Sequence, residues 1–81
     1  MITREQITDR YPDNDFCFAD GLDQAIMGVD EQSGRVIYSI RRIMKILSQA
    51  MSREDAREHL EFNITGGYIG PLTPIFCDDE I

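Results

Sequence analysis

The length of the chain constrains its fold more than any other feature, because 81 residues leave room for one small domain and one core. A domain of this size buries roughly 60% of the surface that its unfolded chain exposes, so its core is marginal. Every apolar cluster is therefore expected to belong to the same core. We predict a single domain over residues 1–81, with residues 1–2 and 78–81 frayed.

The net charge of −7 is unevenly distributed along the chain. Residues 1–31 carry −6, residues 32–60 carry +3 and residues 61–81 carry −4. Two interpretations follow: the acidic ends neutralise the basic middle of the folded chain, or they form an acidic face for a basic partner. Under either interpretation, the acidity argues against nonspecific binding to nucleic acid, which requires clustered Lys and Arg.

The distribution of apolar and metal-binding residues excludes several classes of protein. No run of about 18 apolar residues is present, so no membrane-spanning segment is predicted. The polar residues 1–6 do not resemble a secretory signal, and we therefore predict a cytoplasmic protein. Cys17 and Cys77 are then expected to be free, buried thiols. A single histidine and the absence of Cys-x-x-Cys spacing indicate no zinc site, and no cofactor is predicted.

Capping signals predict the starts of three helices. Thr3 and Gln6 have the spacing of a capping box for the first helix, which Pro12 ends. Ser39 and Ser52 are the expected N-caps of the second and third helices. The second helix carries one apolar stripe at helical spacing, made of Ile40, Ile43, Met44, Leu47 and Met51.

Strand patterns complete the predicted fold. Residues 16–19 are short and aromatic, as in a strand. The apolar runs 25–29 and 35–38 predict a hairpin around a turn at 31–34. The segment 68–77 contains two prolines, which favours an edge strand or an extended arm. The expected architecture is an α+β domain of order α-β-β-β-α-α-β, with an antiparallel sheet and the helices packed on one face.

Two carboxylates and a histidine are the candidates for catalytic or metal chemistry. Asp20 and Asp23 have the spacing of a carboxylate pair, although Asp20 also fits an Asp-Gly turn. His59 is the one side chain that titrates near neutral pH, but a lone helical histidine is more often packed or half-exposed. We therefore predict that the protein is not an enzyme and has no metal site. The alternative is a small metal-dependent or hydrolytic enzyme that uses Asp20, Asp23 and His59.

The C-terminal segment has a distinctive motif over residues 61–75, which reads Glu-Phe-Asn-x-x-Gly-x-Tyr-x-Gly-x-x-Thr-Pro-Ile. It resembles a block found in small uncharacterised phage and prophage accessory proteins, and the similarity extends over most of the chain from about residue 11. Gly67 and Pro71 depart from the pattern, because alanine and glutamate are common at those positions. The resemblance implies a phage-type accessory protein and no particular mechanism.

The function predicted from these observations is binding to another protein, of host or phage origin, in the cytoplasm of the host cell. The acidic flanks and the C-terminal motif supply the candidate binding residues, which are Asp13, Asp15, Asp20, Asp23, Asn63, Tyr68, Thr73, Asp78 and Asp79. Tyr68 offers an amphipathic ring to a partner, whereas Asn63 and Thr73 have structural explanations as well. A third hypothesis is a self-associating structural protein, a homodimer formed through a free edge strand.

Overall fold

The computed structural model describes residues 1–81, whose helices and strands are those of an α+β fold. Its helices and strands, in chain order, are α1 (Arg4–Arg10), β1 (Ile26–Asp30), β2 (Arg35–Ser39), α2 (Ile40–Leu47), α3 (Arg53–His59) and β3 (Ile75–Cys77). A 3₁₀ turn (Asp23–Ala25) precedes β1, and a π-helical turn (Leu60–Thr65) extends α3. No helix combines the length and the apolar character needed to cross a bilayer.

The predicted helix starts are confirmed by their capping bonds. The Thr3 hydroxyl accepts the backbone N–H of Gln6 at 3.1 Å, and the Gln6 side chain accepts the backbone N–H of Thr3 at 3.0 Å. Ser39 and Ser52 each accept the backbone N–H of the residue three positions later, at 3.1 Å. These bonds satisfy N–H groups that a helix cannot pair internally, so short polar motifs determine where each helix begins.

The sheet is mixed, with strand order β1-β2-β3. β1 and β2 form the predicted antiparallel hairpin, whereas β3 pairs with β2 in parallel. The prediction of a wholly antiparallel sheet is therefore wrong. A parallel pair requires a long crossover, which α2 and α3 supply here, and no local turn signal reveals it. β3 is an edge strand, as the prolines of its segment predicted.

Residues 16–19 do not form the predicted strand, so the element order lacks one strand. The backbone N–H of Ala19 donates to the Tyr38 hydroxyl at 2.8 Å instead of to a neighbouring strand. Phe16 and Phe18 are partly buried and pack against the core, with their ring centroids 6.1 Å apart. The aromatic residues at 16–19 therefore indicate that the segment is partly buried, although its backbone is irregular.

The core lies between the sheet and α2, which packs on β2 and on α3. α2 ends at Leu47, so Met51 lies in the turn before α3 and is partly buried against the core. Cys17 and Cys77 are free thiols but only half-buried. The core cluster contains Ile7, Leu22, Ala25, Ile26, Val36, Tyr38, Ile40, Ile43, Met44, Ala56 and Leu60.

The helical segment after Ser52 ends at Gly66. Gly66 has φ −80°, so it does not use the left-handed conformation that favours glycine. A Cβ at this position would lie 2.7 Å from the backbone oxygen of Glu61. Glycine is therefore required by the close approach of the chain to the preceding π-helical turn.

Candidate functional site

The predicted carboxylate pair is engaged with Arg4. The Arg4 Nε atom lies 2.7 Å from Asp23 Oδ1, and its Nη2 atom lies 3.1 Å from Asp20 Oδ1. The same guanidinium lies over the ring of Phe18, 4.9 Å from its centroid. Asp20 and Asp23 therefore attach the N-terminus of α1 to the segment before β1. No group of three or more His, Cys, Asp or Glu side chains is arranged to hold a metal ion.

His59 lies at the end of α3 and is half-buried. Its Nδ1 atom is 3.2 Å from the side-chain nitrogen of Asn63, one turn further along. No hydrogen bond joins His59 to Asp20 or Asp23, whose partners are on Arg4. The three residues of the enzymatic alternative thus form no hydrogen-bonded relay, although Asp20 and His59 line the same groove.

The acidic C-terminal residues are anchored on the helices. The Asp79 carboxylate accepts the Ser39 hydroxyl at 2.6 Å and the backbone N–H of Arg41 at 2.9 Å. Glu80 bridges two arginines of α3, at 2.8 Å from one and 3.0 Å from the other. Residues 78–81, expected to be frayed, are therefore held at Asp79 and Glu80. The salt bridges of Glu80 agree with the first interpretation of the charge pattern, in which an acidic end neutralises the basic middle of the chain.

Asp79 makes the stability of the fold depend on pH. The Ser39 hydroxyl, with the backbone N–H of Arg41, holds the pKa of Asp79 below its usual value, because both bonds favour the charged form. A lowered pKa in the folded state stabilises the protein above the ordinary pKa of the carboxyl group. That contribution is lost as pH falls through the lowered pKa of the folded state.

We expect the Asp79→Ala variant to unfold with a free energy about 0.5–2 kcal/mol lower than wild type at neutral pH, as for loss of a helix cap. Urea denaturation followed by circular dichroism measures this. Asp78→Ala is the matched control, because Asp78 is exposed and its carboxylate accepts a hydrogen bond only from the backbone N–H of Glu80. The difference between Asp79→Ala and wild type should shrink in acid. An equal effect of the two variants would contradict the anchoring role.

Asp13 and Asp15 lie in an exposed loop after α1 and take part in no salt bridge. They differ from Asp79, whose carboxylate is hydrogen-bonded to Ser39 and Arg41, and from Glu80, which forms salt bridges with α3. The acidic candidates thus separate into structural carboxylates and exposed carboxylates. Of the predicted acidic residues at the two ends, only Asp13, Asp15 and Asp78 remain without a strong internal partner.

The remaining predicted residues lie around the loop that follows the π-helical turn. Thr73 is buried, and its hydroxyl accepts the backbone N–H of Ile69 at 2.8 Å while donating to the Gly70 carbonyl at 2.7 Å. Asn63 is exposed beside His59. Thr73 therefore closes the loop 69–73, which directly follows Tyr68.

Three large apolar side chains of this region are exposed. Phe62 is 74% exposed, Tyr68 is 79% exposed and Ile69 is 65% exposed. We call these three residues the 62–69 apolar surface. Exposed apolar side chains are ordinary when scattered, and their concentration in eight residues of a chain this small makes the segment a candidate for an interaction site.

Phe62 and Ile69 were missed by the interpretation of the sequence, which identified only Tyr68. Phe62 is two residues beyond Leu60, so it lies off the apolar seam that Ala56 and Leu60 form in the last helix. That displacement was the available signal, because a phenylalanine off the buried face of a helix is directed toward solvent. Ile69 had no comparable signal.

A groove of about 510 Å³ adjoins the 62–69 apolar surface. Most of its lining is apolar, and Ile69 belongs to it. Its polar lining consists of Asp20, His59 and Asn63. The arrangement provides an apolar floor with a few polar groups at the rim, as in sites that bind an apolar segment.

No protein-family model, curated protein or solved structure matches this chain. The resemblance of residues 61–75 to phage and prophage accessory proteins therefore stays a prediction from the motif.

Proposed function

We propose that this chain is a small non-enzymatic protein that binds another protein through the 62–69 apolar surface. The observation that carries the proposal is the exposure of Phe62, Tyr68 and Ile69 within one short segment. Burying a side chain of this kind contributes about 1.5–3 kcal/mol, so three of them supply a useful driving force for association. Tyr68 adds a hydroxyl for a polar contact at the edge of the interface.

Backbone constraints at both ends of the segment support a binding role. The π-helical turn is a rare conformation that is frequent at functional sites, and it presents Phe62. On the other side, the Thr73 hydroxyl holds the backbone of Ile69. A surface held in one conformation loses less conformational entropy on binding than a mobile loop does.

The motif at 61–75 supports a phage-type accessory role for the same protein, with a host or phage protein as the partner and the host cytoplasm as its location. The partner, on this proposal, is a protein and not nucleic acid, because the net charge of −7 repels phosphates. The enzymatic alternative has less support, since Arg4 engages both Asp20 and Asp23.

Both edge strands of the sheet are poorly suited to pair with a strand of a second copy of the chain. A different protein is therefore favoured as the partner. β1 has a bulge between Ile26 and Gly28, and β3 is only three residues long and follows Pro74. Bulges and short edge strands resist pairing between sheet edges. Self-association remains an outcome that the experiment must detect.

Capture from a lysate of the source cells tests the proposal. A tagged triple variant, Phe62→Ser with Tyr68→Ser and Ile69→Ser, should lose a partner that the wild-type chain recovers. Because these side chains are exposed, the variant should keep the wild-type circular dichroism spectrum.

The matched control is Asp13→Lys with Asp15→Lys, which changes the exposed acidic loop and should leave capture intact. Capture lost by the lysine variant and retained by the serine variant would contradict the proposal. Light scattering measures the solution mass of the pure wild-type and serine-variant proteins. A wild-type dimer that the serine substitutions dissociate would assign the surface to self-association.

A further inference from the structure

We infer that the groove beside the 62–69 apolar surface takes a basic amphipathic segment of a partner protein, with apolar side chains on the groove floor and Lys or Arg at its rim. This inference rests on the proposed function and specifies the chemistry of the partner. Two adjoining cavities carry it, and they share His59 and Asn63.

The first cavity supplies the apolar floor. It has a volume of about 510 Å³, and its lining includes Phe18, Leu22, Ile64, Ile69 and Phe76. The second cavity, of about 360 Å³, continues past His59 to Met51 and Phe62. Met51 and Phe62 thus add apolar lining beyond the first cavity, for contact with an aliphatic or aromatic side chain of a partner.

The carboxylates at the rim determine the charge of the occupant. Asp55 and Glu58 line the second cavity, are exposed and form no salt bridge. Asp20 lines the first cavity, and its side chain is 98% exposed although one oxygen contacts Arg4. No Lys or Arg lines either cavity.

The cations of α3 are directed elsewhere, which leaves the rim negative. Arg53 contacts Glu80, and Arg57 contacts both Glu80 and Glu61. A lysine or arginine of a partner would therefore find unpaired carboxylates beside an apolar floor. Complementary charge of this kind raises the association rate and selects against acidic competitors.

Other occupants fit the groove less well. A nucleic acid would place phosphates against Asp55 and Glu58. The chain's own C-terminus is already bound elsewhere, with Asp79 at the start of α2 and Glu80 on two arginines of α3 that line neither cavity. A second copy carries a net charge of −7 and would meet an acidic rim.

Binding of designed peptides, measured by fluorescence anisotropy with the full chain, tests the inference. The probes are an amphipathic peptide of leucine and lysine, a peptide with glutamate in place of every lysine, and one with serine in place of every leucine. The leucine–lysine peptide should bind at least tenfold more tightly than either of the others, because it supplies both charge and apolar anchors. Its affinity should fall as salt is added.

Variants locate the binding. Asp55→Asn with Glu58→Gln should weaken the leucine–lysine peptide about tenfold. The control is Asp13→Asn with Glu54→Gln, which removes the same charge outside both cavities and should bind as wild type does. Equal weakening by both pairs, or equal binding of the three peptides, would overturn the inference. The proposed function would still stand if the serine triple variant abolished capture of the natural partner, so the two failures are distinguishable.

Discussion

Replacing Tyr38 with alanine is expected to lower the free energy of unfolding by about 3–5 kcal/mol, as for other large aromatic residues in a core. The Tyr38 side chain is 0% exposed, and its ring stacks on Phe76 with centroids 5.9 Å apart. It also lies on β2, the strand that joins the two other strands of the sheet. Since native domains have only about 5–15 kcal/mol of stability, this loss removes a large share of it.

The hydroxyl of Tyr38 has a separate role, which Tyr38→Phe isolates. That variant leaves the backbone N–H of Ala19 without its partner and is expected to lose about 1–3 kcal/mol. Urea denaturation measures the loss for both variants, and hydrogen exchange should be faster at the Ala19 amide. Tyr68→Phe, at an exposed position, should unfold as wild type does. A Tyr38→Phe protein as stable as wild type would mean that this bond does not hold residues 16–19.

Gly66→Ala is expected to lower the free energy of unfolding by about 1–3 kcal/mol, as for an overpacked site. The added Cβ would lie 2.7 Å from the backbone oxygen of Glu61, and a backbone atom cannot move aside as a flexible side chain does. Relief of the clash would distort the π-helical turn that presents Phe62. The variant should therefore also weaken capture of the partner.

The adjacent glycine provides the control for this prediction. A Cβ at Gly67 would have its nearest neighbour 3.7 Å away, at the backbone oxygen of Ile64, which is ordinary contact. Thermal unfolding of Gly67→Ala should match wild type within about 0.5 kcal/mol. Equal destabilisation by the two alanines would show that close approach to Glu61 is not the reason for glycine at position 66.

The parts of the fold that depend on neighbouring residues could be predicted from the sequence. The caps at Thr3, Ser39 and Ser52 and the hairpin of β1 and β2 are determined within a few residues. The parallel pairing of β3 could not be predicted in this way. Ile37 of β2 and Ile75 of β3 are partners in this pairing although they are far apart in sequence, and no local motif near either residue indicates the contact.

The same distinction explains the outcome for the candidate site. Asp20 and Asp23 looked like a carboxylate pair available for chemistry. Their partner, Arg4, lies 16 and 19 residues earlier in the chain, so the sequence does not reveal the two salt bridges. Asp79 looked like a solvated tail residue because its partner, Ser39, is distant in sequence. Tyr68 was identified from the sequence because the amphipathic nature of its ring does not depend on a residue that is distant in the chain.

The charge pattern has a more specific meaning in the folded chain than in the sequence. The C-terminal carboxylates Asp79 and Glu80 are bound by α2 and α3, so they stabilise the fold. Asp55 and Glu58, which belong to the basic middle of the chain, are unpaired beside the groove. Two of the three carboxylates that would attract a basic partner therefore lie outside the acidic segments, and only Asp20 belongs to one of them.

Photo-crosslinking in cells tests the central claim most directly, because it reports which surface touches the partner. A photoreactive phenylalanine analogue replaces Tyr68 in one variant and Asp13 in the other, and both positions are exposed. Our account predicts a crosslinked protein partner from position 68 and none from position 13. A crosslink from position 13 alone, or no crosslink from either position, would contradict it.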